Sequence, residues 1–318
     1  MTAKSLLAAL LLASLPLSAA RAQDKYPQTL TVYTVFGTPI DFVLVPQGTF
    51  LMGAQNDDKN LPNYNPEYPS YYSNQGPVHE VTLPAFYIAK YEVTKQVWSE
   101  TMGGDVASDD YDVAQGYVSY DNAQAFLAIA ALEFSGIPEG ATLSLPSEEQ
   151  WECAAHGGPN ATVNYVYAGS NEPGEVAVYL LNSTTPIKVG TKNHNTLGIY
   201  DMSGNVYEWT TGDYRSYDDG SLLNKNYDVR VLRGGYIGSR YPGLVTIYTR
   251  GYDRPSTAYE YYGFRLAINL PAEDTSTLPA NALSSAPSAP SLTVRDGVLL
   301  ISMPDGSVLD VSGRQLIR

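Results

Sequence analysis

From Gly158 to about Leu270 the sequence has no run of apolar residues at helical spacing. Short alternating stretches, turns and glycine-rich loops follow one another instead, so most of this half must fold as small strands and irregular backbone. Helical signals are confined to the first half. Thr94 can cap a short helix over TKQVWSETM, which stops at Gly103-Gly104. A second helix is expected from about Asp121 to Phe134, ended by Gly136 and Pro138. A third is SEEQWECAAHG, where Ser147 and Gln150 make a capping box and Gly157 supplies the stop. Residues 29–53 read as strands broken at Gly37-Thr38-Pro39 and Pro46-Gln47-Gly48, and HEVTLPAFYIAKYEVT reads as a strand pair. Residues 61–77 form a loop of Pro, Asn and Tyr without periodicity. The class is α+β with little regular structure.

The ends are different in kind. Residues 1–22 carry Lys4, an apolar run from Leu6 to Leu17 and Ala20-Arg21-Ala22, the pattern of a secretory signal peptide. The run is too short and too soon interrupted to span a membrane. An N-terminal strand segment, 23–39, precedes the main domain at 40–270. Residues 271–291 are a Pro/Ala/Ser linker, and 292–318 a short β-rich tail with turns at Asp296-Gly297 and Asp305-Gly306. The chain is thus expected to be exported, to the periplasm, the cell surface or the medium.

Charge and side-chain chemistry narrow the function. A net charge of −14 with no basic patch argues against nucleic acid. The single cysteine, Cys153, forbids an internal disulfide, and its place in a helix beside Trp151 and Ala154 suggests a buried, inert thiol. His79, His156 and His194 are not spaced as zinc ligands, and no nucleophile motif is present. Tyrosine is abundant, 26 against 7 phenylalanines, and suits wet binding surfaces as well as the cover of a loop-rich fold. LGIYDMSGNVYEWT, 197–210, sets Asp201 and Glu208 seven apart around Gly204. With carbonyls from Gly204 and Val206 they offer oxygens to calcium; on spacing alone a plain hairpin with an Asx turn is the commoner outcome.

Seven stretches in order are similar to the formylglycine-generating enzyme, or sulfatase-modifying factor, family. They are FVLVPQGTFLMG, PVHEVTLPAFYIAKYEVT, VSYDNAQAF, LPSEEQWECAAHGG, LGIYDMSGNVYEWT, VLRGG and YYGFRLA. The resemblance covers about residues 40–270 and implies that family's variant of the C-type lectin fold, with short helices and small antiparallel sheets. It also implies a calcium site at Asp201, Gly204, Val206 and Glu208. A second family calcium site has no acidic pattern to match it in VAVYLLNSTTPIKVG. The family's enzymes oxidise a substrate cysteine with oxygen and copper(I), held by two cysteines between the VLRGG-like and GFR-like motifs. No cysteine lies between Gly235 and Gly263 here, and phenols or hydroxyls do not replace soft thiolates, so copper is not expected.

The sequence therefore points to a non-catalytic, calcium-stabilised scaffold. Its binding face is the Tyr-rich segment 236–262, with Tyr236, Ser239, Arg240, Tyr241, Tyr252, Asp253, Tyr259 and Tyr261 as candidate contacts for a protein or glycan. Some relatives of lectin fold display hypervariable binding surfaces on this segment. Two other readings stand beside it: a formylglycine-generating oxidoreductase acting on sulfatase cysteines, and a structural part of a bacterial envelope or secretion assembly. The last draws on the tail, which resembles β-rich C-terminal sorting segments.

Overall fold

Two runs without polar alternation, FVLV at 42–45 and FYIA at 86–89, make the centre of the fold. The computed structural model describes residues 26–66 and 74–271, and four tail strands at 291–295, 298–302, 308–310 and 315–317. The expected leader at 1–22, linker residues 272–290 and both Asp-Gly turns of the tail lie outside the described residues. The first strands are β1 (Thr29–Tyr33), β2 (Pro39–Val45), β3 (Gly48–Met52), β4 (His79–Leu83) and β5 (Phe86–Ala89). β2 and β5 pair antiparallel, Phe42 opposite Ala89 and Val45 opposite Phe86. Phe42 and Leu44 enter one core with Tyr87, Phe126, Trp209 and Phe264. Val43 and Val45 enter a second with Phe86, Ile88, Trp151 and Ile247. A sheet covered on both faces needs strands apolar on both faces, which is what these runs supply.

β6 (Thr142–Ser144) and β11 (Ala267–Asn269) complete this sheet in the order β1-β2-β5-β11-β6. Segment 23–39 thus contributes an edge strand to the main sheet. HEVTLPAFYIAKYEVT does form two strands, but they do not pair with each other. Pro84 separates β4, which joins β3, from β5, which joins β2.

The helices follow their local signals. α1 (Lys95–Met102) starts at Thr94, whose Oγ1 accepts from Val97 N at 3.3 Å, and stops at Gly103. α2 (Tyr120–Glu133), capped by Ser119, begins one residue earlier than expected. α3 (Glu148–His156) has the full capping box of Ser147 and Gln150, with Gly157 left-handed at its end. Among the described residues, only the single turn α4 (Pro173–Val176) is α-helical beyond Gly158. α1 and α2 close the first core: Trp98 stacks on Phe126 at 5.7 Å, and Phe264 meets both rings edge-on.

A second sheet runs β10 (Tyr262–Gly263), β7 (Tyr207–Asp213), β8 (Arg230–Arg233), β9 (Arg250–Asp253). β8 and β9 pair antiparallel with Arg233 directly opposite Arg250, so residues 234–249 are one long excursion held at its base. The tail strands β12 (Ser291–Arg295), β13 (Val298–Ser302), β14 (Val308–Asp310) and β15 (Gln315–Ile317) form an antiparallel sheet in sequence order. Among the described residues no helix is long and apolar enough to cross a membrane.

Phe264→Ala removes a fully buried ring from this packing, and is expected to cost about 3–5 kcal/mol in denaturant unfolding. Leu132→Ala, at a side chain 70% exposed on α2, should shift stability by no more than about 0.5 kcal/mol.

Candidate binding face and its buried charge frame

Arg233, Arg250 and Arg265 are among the largest fully buried side chains, an unusual place for a guanidinium unless it is paired. Glu148 and Glu152 lie one turn apart on α3 and meet the two arginines opposed across β8 and β9. Arg250 is bidentate to Glu148, at 2.6 and 2.9 Å. It also donates to the carbonyls of Asn74 and Arg215 and lies 4.0 Å from the centre of the Tyr217 ring. Arg233 pairs with Glu152 and donates to the carbonyls of Ile247, Tyr248 and Thr249. Burial pushes the Glu152 carboxyl up, but Arg233, His156 and the Gly53 N–H outweigh it and hold the group below its ordinary value.

The third arginine closes on the loop from which calcium binding is expected. Arg265 is bidentate to Glu208, both contacts 2.7 Å, and reaches the carbonyls of Ala89 and Tyr200. Glu208 also accepts from Trp151 Nε1 at 2.7 Å, so both its oxygens are committed. Asp201 differs: Oδ2 accepts from Gly190 N at 2.7 Å, while Oδ1 is buried without a partner. Buried Glu92, which sequence reading missed, accepts from Asn205 Nδ2 and from Val206 N. Three carboxylates thus surround one guanidinium. Burial, reinforced by Asp201 and Glu208, pushes Glu92 well above the usual carboxylate range. Burial also pushes Asp201 up to about 6, against the Gly190 N–H and Arg265. Asp201 and Asn205 are both left-handed, φ 59° and 60°, which turns the loop sharply. Among the described residues no three His, Cys, Asp or Glu side chains are arranged to hold a metal. The residues fit a cation at Asp201 Oδ1, where carbonyls such as those of Gly204 and Val206 would have to complete a shell; they do not fit one at Glu208, which already holds Arg265.

The excursion from β8 carries part of the expected face. Tyr207, Tyr236, Tyr261 and Tyr259 stack in succession at ring-centre separations of 5.1, 4.0 and 5.6 Å. The ladder runs from buried Tyr207 out to Tyr259, 48% exposed. Arg240 and Tyr241 are exposed too, and Leu180 N donates to Ser239 O, which sets the exposed Leu180 and Leu181 beside them. Two candidates are tied into the chain's own turns. Ser239 is buried, its Oγ accepting from Tyr236 N at 3.2 Å, so it shapes the turn beneath the ladder. Asp253 accepts from Arg254 N, Thr257 Oγ1 and Tyr262 Oη, so its oxygens are spent on its own loop. Tyr252 stands apart, against Tyr214 at 4.5 Å.

The remaining candidates are structural. Burial pushes the Cys153 thiol up to about 12, with Glu152 adding to it, so the thiolate is inaccessible. His79 packs on Tyr217, His156 between Phe50 and Tyr248, and His194 on Tyr200.

The family model for the sulfatase-modifying factor enzyme 1-like domain matches residues 34–270. The chain belongs to this family. A chaperone protein LppX from Paenibacillus barcinonensis is 33% identical over 178 residues, covering 41% of this chain and 62% of its own length. The inactive C-alpha-formylglycine-generating enzyme 2 of Bos taurus is 28% identical over 193 residues, 55% of this chain and 57% of the relative. The chain therefore spans less than two thirds of either relative. Treponema denticola variable protein 1 shares the fold, with a TM-score of 0.60 and 22% identity over 77% of this chain and all of that one. The formylglycine-generating-enzyme-like fold expected from the motifs is the one observed.

Because Glu152 is held below its ordinary value, its stabilisation is present above the usual carboxylate pKa and lost as pH falls through the folded value. Glu152→Gln, which removes the direct ion pair of Arg233 and leaves it only Glu148 Oε1 at 3.7 Å, is expected to cost about 3 kcal/mol at pH 7. It should also flatten the loss of stability below about pH 4.3, the ordinary glutamate value, in urea unfolding across pH.

Proposed function

We propose that this member of the sulfatase-modifying factor family is an exported, non-catalytic binding scaffold that presents its Tyr-rich segment to a protein or glycan partner. The observation that carries this reading is chemical. Copper(I) oxidase chemistry needs soft thiolates, and residues 236–262 contain none. The one thiol, Cys153, is buried in α3 and held protonated. In the same place stands a rigid aromatic ladder, which loses little rotamer entropy on contact and offers hydroxyls at its rim. A bovine relative carries the name of an inactive enzyme, which supports loss of chemistry within the family. The leader-like residues 1–22 support export.

Calcium enters the proposal through Asp201. Its unpartnered Oδ1 and the excess of carboxylate over guanidinium around Arg265 both favour a divalent cation there. The ion would stabilise the loop and take no part in chemistry.

Incubation with a Cys-x-Pro-x-Arg peptide, copper and oxygen is expected to yield no aldehyde by mass spectrometry; aldehyde formation overturns the non-catalytic reading. Calcium should raise the melting temperature of the wild type and leave Asp201→Ala unmoved, with indifference of both removing the metal from the proposal. On glycan and surface-protein arrays, Tyr236→Ala combined with Tyr261→Ala should abolish the hits of the wild type. Unchanged hits would discard this face.

A further inference from the structure

A second segment lies against the backbone of Tyr259, at the outer end of the ladder. Tyr117, from the connection between α1 and α2, donates its N–H to the Tyr259 carbonyl at 2.8 Å, and Val118 N donates to the Tyr262 carbonyl at 2.9 Å. The two segments touch so closely that a Cβ on Gly116 would overlap the Glu260 carbonyl oxygen. Glycine at 116 is therefore what lets Tyr117 sit against the outer end of the ladder. Tyr117 itself is left-handed, φ 57°, and its side chain is 68% exposed. A bulky side chain in that conformation costs stability, and an exposed ring returns little through burial. Glu260, between Tyr259 and Tyr261 in the chain, is exposed and has neither an ion pair nor a side-chain hydrogen bond among the described residues.

We propose that Tyr117, Tyr259, Tyr261 and Glu260 form a receptor for a cationic side chain, an arginine or lysine on a basic segment of a protein partner. The proposal rests on the binding-face reading and names the partner class for it. Tyrosine rings attract a cation through their negative faces; Tyr261, stacked between Tyr236 and Tyr259, backs the outer face of Tyr259, and Glu260 beside them in the chain supplies the counter-charge. The chain already makes this contact internally, with Arg254 over the Tyr227 ring at 4.2 Å. A net charge of −14 steers a basic partner toward the protein, and a basic side chain brings the counter-charge that Glu260 lacks. A neutral saccharide can donate hydroxyl hydrogen bonds to that carboxylate but brings no charge to it.

The test uses the full chain and two decapeptides, one alternating glycine with arginine and the other with isosteric, neutral citrulline, by isothermal titration. The arginine peptide is expected to bind severalfold more tightly, with affinity falling as salt rises. Tyr117→Gly relieves the left-handed backbone, so it should keep or raise the melting temperature while weakening arginine-peptide binding roughly threefold. Glu260→Gln should weaken it and flatten the salt dependence. Asp218→Asn, an exposed carboxylate on a distant turn, should leave it unchanged. Equal binding of the two peptides overturns the proposal, and so does a Tyr117→Gly variant that melts lower or binds as before. So, too, does an equal loss in Asp218→Asn, which reduces the effect to net charge. Array hits on neutral glycans that need Tyr236 and Tyr261, with no preference for arginine over citrulline, overturn the cationic partner and leave the binding face standing.

Discussion

The structure depends on a match between two spacings. Glu148 and Glu152 are four residues apart on α3, about 6 Å along the helix axis. Arg250 and Arg233 face each other across β8 and β9, about 5 Å apart in an antiparallel pair. Like charges directly opposite on paired strands repel, and a buried guanidinium without a carboxylate is costly. One turn of one helix removes both problems. Other guanidinium donors then satisfy carbonyls of residues 74, 215, 247, 248 and 249, groups that lie outside the named strands, while Arg233 Nε stays buried without a partner. Buried arginines do for this irregular backbone what helix and sheet hydrogen bonds do elsewhere.

That arrangement frees the excursion at 234–249 from having to hold itself. Its ends are fixed by Arg233 and Arg250, its base by Gly235, left-handed and pressed against the Leu244 carbonyl, where a side chain would not fit. With one cysteine, the chain has no disulfide of its own to do the same work. The tyrosines above the frame contribute area at the surface while the pairs beneath fix their backbone. A site that is supported from below can change its exposed side chains without losing its fold, which is what the proposed binding role requires of this segment.

The legible parts of the sequence were the local ones. The capping box at Ser147 and Gln150 and the stops at Gly103 and Gly157 depend on residues within one turn, and all stand in the structure. The seven ordered motifs carried the fold. What stayed hidden joins distant residues: Arg250 meets Glu148 from 102 positions away, Arg233 meets Glu152 from 81, and Arg265 meets Glu208 from 57. Read alone, Glu148 and Glu149 look like first-turn acids placed for the helix dipole. The strand pairing of HEVTLPAFYIAKYEVT failed for a related reason, since periodicity reports which residues are extended and not which neighbour they take. The internal bonds of Ser239 and Asp253 were hidden because polar type alone does not say which partner it takes; Thr257, four residues after Asp253, was the available sign of a self-contained loop. Tyr117 left no sign in the sequence beyond the glycine before it.

The Asp201 loop and the tyrosine face are mechanically one object. Gly204 N donates to the Gly234 carbonyl at 2.8 Å, and Ile237 N donates to the Asn205 carbonyl at 3.0 Å, so the acidic loop braces both sides of Tyr236. Through Arg265 the same loop is tied to the Ala89 carbonyl in the central sheet. Glu92 expresses the strain in the charge balance. Its two N–H partners favour the ionised form, whereas burial beside Asp201 and Glu208 favours the neutral one. A divalent cation at Asp201 would relieve that conflict by adding positive charge where three carboxylates share one guanidinium. Relief there would tighten the turn at residues 201–206, and the two hydrogen bonds would pass the order on to the foot of the ladder. In the proposed function the ion would act on partner binding through the rigidity of Tyr236, without itself touching the partner.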